Sequence, residues 1–239
     1  MLVVLSLALA VCTSALVVSS ATAQSYGYHV SLDASPLTTS DAGPFTLEFQ
    51  LTSGIALDGN RTQVMLDNFT FGGGSATGSP TLVGGASGDL STGITLKTSS
   101  FLNDFQQEFN PQGLLEFNVC LMTTAASPPR DPADGFSFAI LDDTGTEIPT
   151  LGFFDIGSDV LLSVDLTGGG TPDILTYPTD DSVPPAGGTT PITMEAPVVT
   201  ETGACCTVPE PGTMGLLAAF LLTAFLTLGA AIFSRRRYS

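Results

Sequence analysis

Apolar and polar residues alternate along much of this chain with a period of two. Phe45-Thr46-Leu47-Glu48-Phe49-Gln50-Leu51 is the clearest stretch, apolar at odd positions and polar at even ones, as a strand with one buried face requires. Residues 26–32 alternate more weakly, and residues 114–122 put Leu115, Phe117 and Val119 on one face. Residues 64–71 place Val64 and Leu66 inward, then Phe69 and Phe71, so the parity changes across an irregularity. Residues 90–96, 136–141, 148–154, 160–166 and a short 174–177 complete the expected strands. Asp and Gly punctuate the junctions, as in Asp58-Gly59-Asn60 and Asp142-Asp143-Thr144-Gly145, where tight turns need positive φ. Many short strands without helical periodicity predict an all-β fold over residues 24–177, an antiparallel β-sandwich or jelly roll. One stretch departs from this. Phe101, Phe105 and Phe109 fall at i, i+4 and i+8, which predicts a short helix or compact loop closing one end.

The pattern changes at both ends. Residues 178–207 are rich in Pro, Thr, Gly and Val with no apolar period, which reads as a flexible linker. Residues 214–233 then form an uncharged apolar run. As a helix it covers roughly 30 Å, the thickness of a bilayer's hydrocarbon core. Arg235, Arg236 and Arg237 follow it at once, and such clusters stay cytoplasmic, which puts everything before the run on the other side. At the other end residues 1–18 are almost wholly apolar, and Ala21-Thr22-Ala23 precedes Gln24. A small-x-small triplet after an apolar core marks residues 1–23 as a signal peptide cut between Ala23 and Gln24 by signal peptidase. No Lys or Arg precedes that core, so either the α-amine supplies the positive charge or the chain begins upstream. A permanent N-terminal helix is the alternative.

Val208-Pro209-Glu210-Pro211 stands just ahead of the C-terminal apolar run. The proline-flanked glutamate, a single spanning helix and a terminal arginine cluster, in that order over residues 208–239, resemble the PEP-CTERM sorting signal of Gram-negative bacteria. The resemblance implies that a membrane-embedded exosortase, a cysteine protease-transpeptidase, recognises Pro209, Glu210 and Pro211 and cuts near them. Two prolines hold the chain extended, as a protease needs. A permanent anchor with a proline-rich stem is the alternative. The body is similar to a recurrent ectodomain of such proteins, through Tyr28-His29-Val30, the alternation at 45–51, the phenylalanines of 101–109, and Phe136-Ser137-Phe138 ahead of Asp142. The implied location is the cell envelope, with a single-pass anchor before processing and the body released to the surface or extracellular matrix. Exopolysaccharide and biofilm are the surroundings the family context implies.

Charge narrows the partners. The whole chain carries a net −17, and residues 24–207 hold three cations (Arg61, Lys97, Arg130) against 22 carboxylates, a net of −19. Such a surface repels nucleic acid and anionic membranes and suits a soluble exported domain. Cys120 sits in an apolar run and reads as a buried, unreactive core residue. Cys205 and Cys206 are adjacent, open to redox, lipid or cross-linking chemistry or simply part of a stem, and no disulfide framework is expected.

The chemistry of an enzyme is not assembled. His29 is the sole histidine, no Gly-x-Ser-x-Gly elbow exists, and Gly72-Gly73-Gly74 lacks the Lys-Ser/Thr of a phosphate cradle. Acidic residues are so common that no pair of them marks a hydrolase. No catalytic residue and no cofactor are assigned. If calcium is used, its places are the loops holding Asp131 with Asp134 and Asp142 with Asp143, although neither has EF-hand spacing and turn chemistry accounts for both. Ala133-Asp134-Gly135-Phe136-Ser137-Phe138 is also similar to the Ala-Asp-Gly-aromatic-x-Phe segment of legume-type lectins. That likeness implies a sugar and calcium role for Asp134 and Gly135, but the metal-binding loop expected beside them is not recognisable. The expectation is a structural or interaction protein of the cell surface, with a carbohydrate-binding module as the alternative.

Overall fold

The structure is a computed structural model and describes residues 23–54, 62–124, 134–166 and 171–205. The alternating stretches become strands: β1 (Ala23–Asp33), β2 (Phe45–Thr52), β3 (Thr62–Phe71), β4 (Ser75–Ala76), β5 (Thr81–Val83), β6 (Ser87–Asp89) and β7 (Gly93–Lys97). Then come β8 (Leu102–Asn110), β9 (Leu114–Thr124), β10 (Asp134–Leu141), β11 (Leu162–Leu166), β12 (Asp173–Thr176) and β13 (Val198–Gly203), with a short 3-10 helix at Ser35–Thr39 after β1 and a short α-helix, α1 (Gly152–Ile156), ahead of β11. They form two antiparallel sheets, β13-β1-β9-β3-β7-β6 and β12-β11-β10-β2-β8-β4, with β5 also pairing with β8. The fold is all-β, as expected, and the sheets pack face to face as a sandwich. Phe49 of β2 is the hub of the core, its ring 5.4 Å from Phe117 in the opposite sheet and 5.1 Å from Phe138 alongside. Edge-to-face and offset stacking of this kind adds about 0.5–1.5 kcal/mol per pair beyond area burial.

Register fixes the ends of the sandwich. Ala23 pairs with Thr124, and Thr62 with Thr123, so the start of β1, the end of β9 and the start of β3 lie at one pole. Gly203 pairs with Gly27, four residues in from the start of β1, so β13 runs toward that pole and ends short of it. Phe71 pairs with Leu115 near the far end of β9. At ~3.3 Å per residue the two poles stand roughly 30 Å apart.

Three expectations are corrected. Residues 101–109 are not a helix but strand β8. Its inward positions are Asn103, Phe105, Gln107 and Phe109, all buried, while Phe101 is exposed. A spacing of four suits a strand as well as a helix, and two polar residues on the inner face hid the alternation. They are buried because they are bonded. Asn103 Nδ2 donates to the carbonyls of Leu51 and Ser100 (2.9 Å each), and Gln107 Oε1 accepts from the Leu90 amide (2.9 Å).

Residues 148–154 are not a strand. Ile148 bonds back to Ile140, and the chain then turns into α1, which ends on Gly157 at φ 77°. Phe153 and Phe154 stand exposed on it.

Residues 178–205 are not a flexible linker. Ile192 and Met194 are buried in the core, and Thr179 Oγ1 donates to the Ile192 carbonyl (2.6 Å) and accepts from the Met194 amide (2.7 Å). Thr189 is held by Asp41, β13 pairs along β1, and Cys205 is joined to Cys120 of β9 by a disulfide, Cα–Cα 5.7 Å. Cys120 is therefore no inert thiol and Cys205 no plain stem residue. Side chain-to-backbone bonds leave no hydrophobic period, so composition alone suggested a loose segment.

Candidate functional site

The sites expected from sequence are scattered. Val208, Pro209, Glu210, Pro211, Arg235, Arg236, Arg237, Ala21 and Asp131 lie outside the described residues, as do Cys206 and the apolar run 214–233. Among the described residues no helix is long and apolar enough to cross a membrane. Ala23 and Gln24 open β1, so a cut between them would trim one residue from that strand.

Asp134 turns its carboxylate into the protein. It accepts from the Gly54 amide (3.0 Å), from Ser53 Oγ (3.5 Å) and, in a short hydrogen bond, from Thr62 Oγ1 of the other sheet. It thus clamps the two sheets together at the terminal pole. Asp142 organises a turn at the opposite end of β10. Its Oδ1 accepts from the amides of Thr144 (2.9 Å) and Thr146 (3.1 Å), and its Oδ2 from that of Gly187 (2.7 Å). Burial works against its ionisation, but the bonds from Thr144, Gly187 and Thr146 outweigh it and hold the carboxyl below its ordinary range. Asp143 is exposed beside it. Asp134 and Asp142 are separated by the whole of β10, about 25 Å at strand rise, so they cannot share an ion. Among the described residues no three His, Cys, Asp or Glu side chains converge where a metal ion could sit. His29 lies on the outer face of β1, hydrogen-bonded to Asn118 (3.1 Å) and 3.4 Å from Glu116.

The fold assembles two features that sequence did not single out. The first is a carboxylate group on the outer face of the second sheet. Glu48 of β2 accepts from Gln106 Nε2 (2.6 Å), and Asp104 of β8 is buried, its Oδ1 with no hydrogen-bond partner among the described residues. Burial first, and the Glu48 carboxylate second, push the Asp104 carboxyl up to about 7 against a bond from the Phe105 amide. Burial and Glu48 likewise raise Glu147. Unfolded, Asp104 ionises near 3.8; folded, near 7. Its contribution to stability is therefore intact below pH ~4, declines as pH rises to ~7 and is level above that. Asp104→Asn is expected to remove this slope, raising stability by about 1–3 kcal/mol at pH 8 and by nothing measurable at pH 4. Urea unfolding at the two pH values checks it; an equal gain at both would place the effect in packing instead.

The second feature is a cleft of about 680 Å³ at the open edge between the sheets, where β3 bulges. Asp67 pairs with Asn118 and Thr70 with Glu116, so Asn68 and Phe69 together face Phe117 alone. The extra residue switches the parity, bringing Phe69 and Phe71 to the inner side as their spacing predicts. Asn68 takes φ 56°, the one non-glycine positive φ among the described residues. Such a conformation costs on the order of 1 kcal/mol and tends to persist where the surroundings use it. The Phe69 and Phe71 rings lie nearly parallel, 6.4 Å apart and 12° from coplanar, at the cleft's inner wall. Across from them runs the β6–β7 turn, whose Asp89 Oδ1 accepts from the amides of Ser91 (2.7 Å) and Thr92 (2.9 Å). The third side is Gly74 with the short strand β4 that follows it. A Cβ on Gly74 would stand 1.8 Å from the Asn110 carbonyl, so only glycine lets that wall approach β8. The parity change in 64–71 was the one visible sign of this site; the facing turns are remote in sequence.

Comparison with known protein families, curated proteins and solved structures finds no match for this chain.

Proposed function

We propose that this chain is an exported surface or extracellular-matrix protein of the interaction type, delivered through its C-terminal PEP-CTERM signal and cut by exosortase. The observation that carries the reading is the Cys120–Cys205 disulfide. Such bonds form and persist in oxidising compartments and are rare where thiols are kept reduced. This one ties down the chain three residues ahead of Val208, so a processed molecule would end on a stapled strand. The acidic, non-sticky surface agrees with export.

Mass spectrometry of the protein from its native host tests this. The expected mature chain starts at Gln24, ends near Pro209–Pro211 and carries Cys120 and Cys205 oxidised. Pro209→Ala with Glu210→Ala is expected to leave the tail uncut. A variant C-terminus identical to the wild type would falsify the role of the signature, and reduced cysteines in the wild type would remove the support for export.

A second reading, a carbohydrate-binding module, is favoured by the cleft at the β3 bulge rather than by Asp134. Asp134 is committed to the clamp between the sheets.

A further inference from the structure

We propose that the cleft at the β3 bulge is a binding site for an uncharged saccharide segment. The inference deepens the interaction reading given above and rests on it for the setting, but not for the chemistry. A sugar ring presents an apolar face and a hydroxyl rim, and the cleft presents the complement. Its inner wall is the parallel pair Phe69 and Phe71, both partly buried against the core and therefore fixed in place. Its rim is polar, with Asn68, Ser91 and Thr92 along it; the Asp67 carboxylate at its margin accepts from Asn118 Nδ2 (3.3 Å), and Ser91 Oγ donates to Asp89 Oδ1 (2.5 Å). Its volume, about 680 Å³, falls within the ~300–1,000 Å³ usual for small-ligand sites built from apolar walls and a few placed polar groups.

Charge selects the class. None of the lining residues is Lys, Arg or His, Asp67 stands in the rim, and the chain as a whole carries −17. Anionic polymers and phosphates are disfavoured on both counts. A purely apolar ligand would strip water from the rim without replacing its hydrogen bonds. Asn68 takes its left-handed conformation at the bulge, the kind of place where strands re-aim side chains.

The test uses the full chain purified in detergent and isothermal calorimetry with maltohexaose, cellohexaose and chitohexaose as neutral probes, hexa-mannuronate as an anionic one and hexalysine as a cationic one. At least one neutral hexasaccharide is expected to bind, and the anionic one to bind at least about tenfold more weakly. Asn68→Gly with Thr92→Ala removes two exposed rim groups while keeping the positive φ at position 68, and is expected to weaken binding by about tenfold or more. Ser75→Trp, at an exposed position of β4, is expected to block the cleft and abolish binding. Both variants should keep the wild-type melting temperature, which separates loss of the site from loss of the fold. No binding by any neutral probe, binding unchanged in both variants, or preference for hexalysine or hexa-mannuronate would each overturn the inference. Export is read separately, from the mature ends and cysteine state, so either proposal can fail while the other stands.

Discussion

Replacing Cys205 with Ser is expected to cost the folded body about 3–5 kcal/mol. The bond joins residues 85 apart, and closing a loop of that size in the unfolded chain accounts for roughly 4–5 kcal/mol of lost conformational entropy in the chain-entropy picture. Little else would compensate. Strand β13 is mostly exposed, with Val199 packed against the core, and among the described residues it pairs on one side only, along β1. Once the bond is cut, β13 is expected to fray and uncover the edge of β1, an unpaired strand prone to intermolecular pairing. Equilibrium unfolding of oxidised wild type, reduced wild type and Cys205→Ser, with hydrogen exchange followed at residues 198–203, measures both effects. Cys120→Ser should match Cys205→Ser within error, because either change removes the same constraint. Identical midpoints for all oxidised and reduced forms would show that the bond does not stabilise the fold.

Phe49→Ala is expected to cost about 3–5 kcal/mol, mostly through the cavity it leaves. Phe49 is fully buried, and its ring contacts those of Phe69, Phe105, Phe117, Phe136 and Phe138. These come from both sheets and interlock, so the surroundings cannot close over a missing ring without moving several strands at once. For a body of this size the loss corresponds to a melting temperature lower by roughly 8–16 °C. Phe49→Leu, which keeps more of the volume, should lose much less. If Phe49→Ala falls by under ~1 kcal/mol, the core is not organised around this residue.

How far these features could be read from the chain depends on what each residue's partner is. Strand β2 was visible because its inward residues are apolar and its outward ones polar, and β9 and β10 because Leu115, Phe117 and Val119, and Phe136, Phe138 and Ile140, recur at every second position. Strand β8 was not, because Asn103 and Gln107 face inward and are satisfied by backbone groups of other segments. The segment 178–205 looked loose because Thr179, Thr189 and Gly187 are held by side chain-to-backbone and side chain-to-side chain hydrogen bonds that no periodicity records. Asp134 and Asp142 look like ligands in sequence because clamps, turns and metal sites all call for the same carboxylates. The bulge in β3 left a trace, the shift from Val64 and Leu66 to Phe69 and Phe71. Nothing local tied those rings to Ser91 and Thr92.

By itself the order of residues determined the all-β character of the body and most of its strand positions, since alternation needs only the two faces of one strand. Tertiary structure alone decided the pairing of Cys120 with Cys205, the seating of 178–205 on the sandwich, the turning inward of Asp134, and the cleft beside Phe69 and Phe71. Each of these joins groups tens of residues apart, and the free energy that selects them exists only once both sheets have closed around the same core.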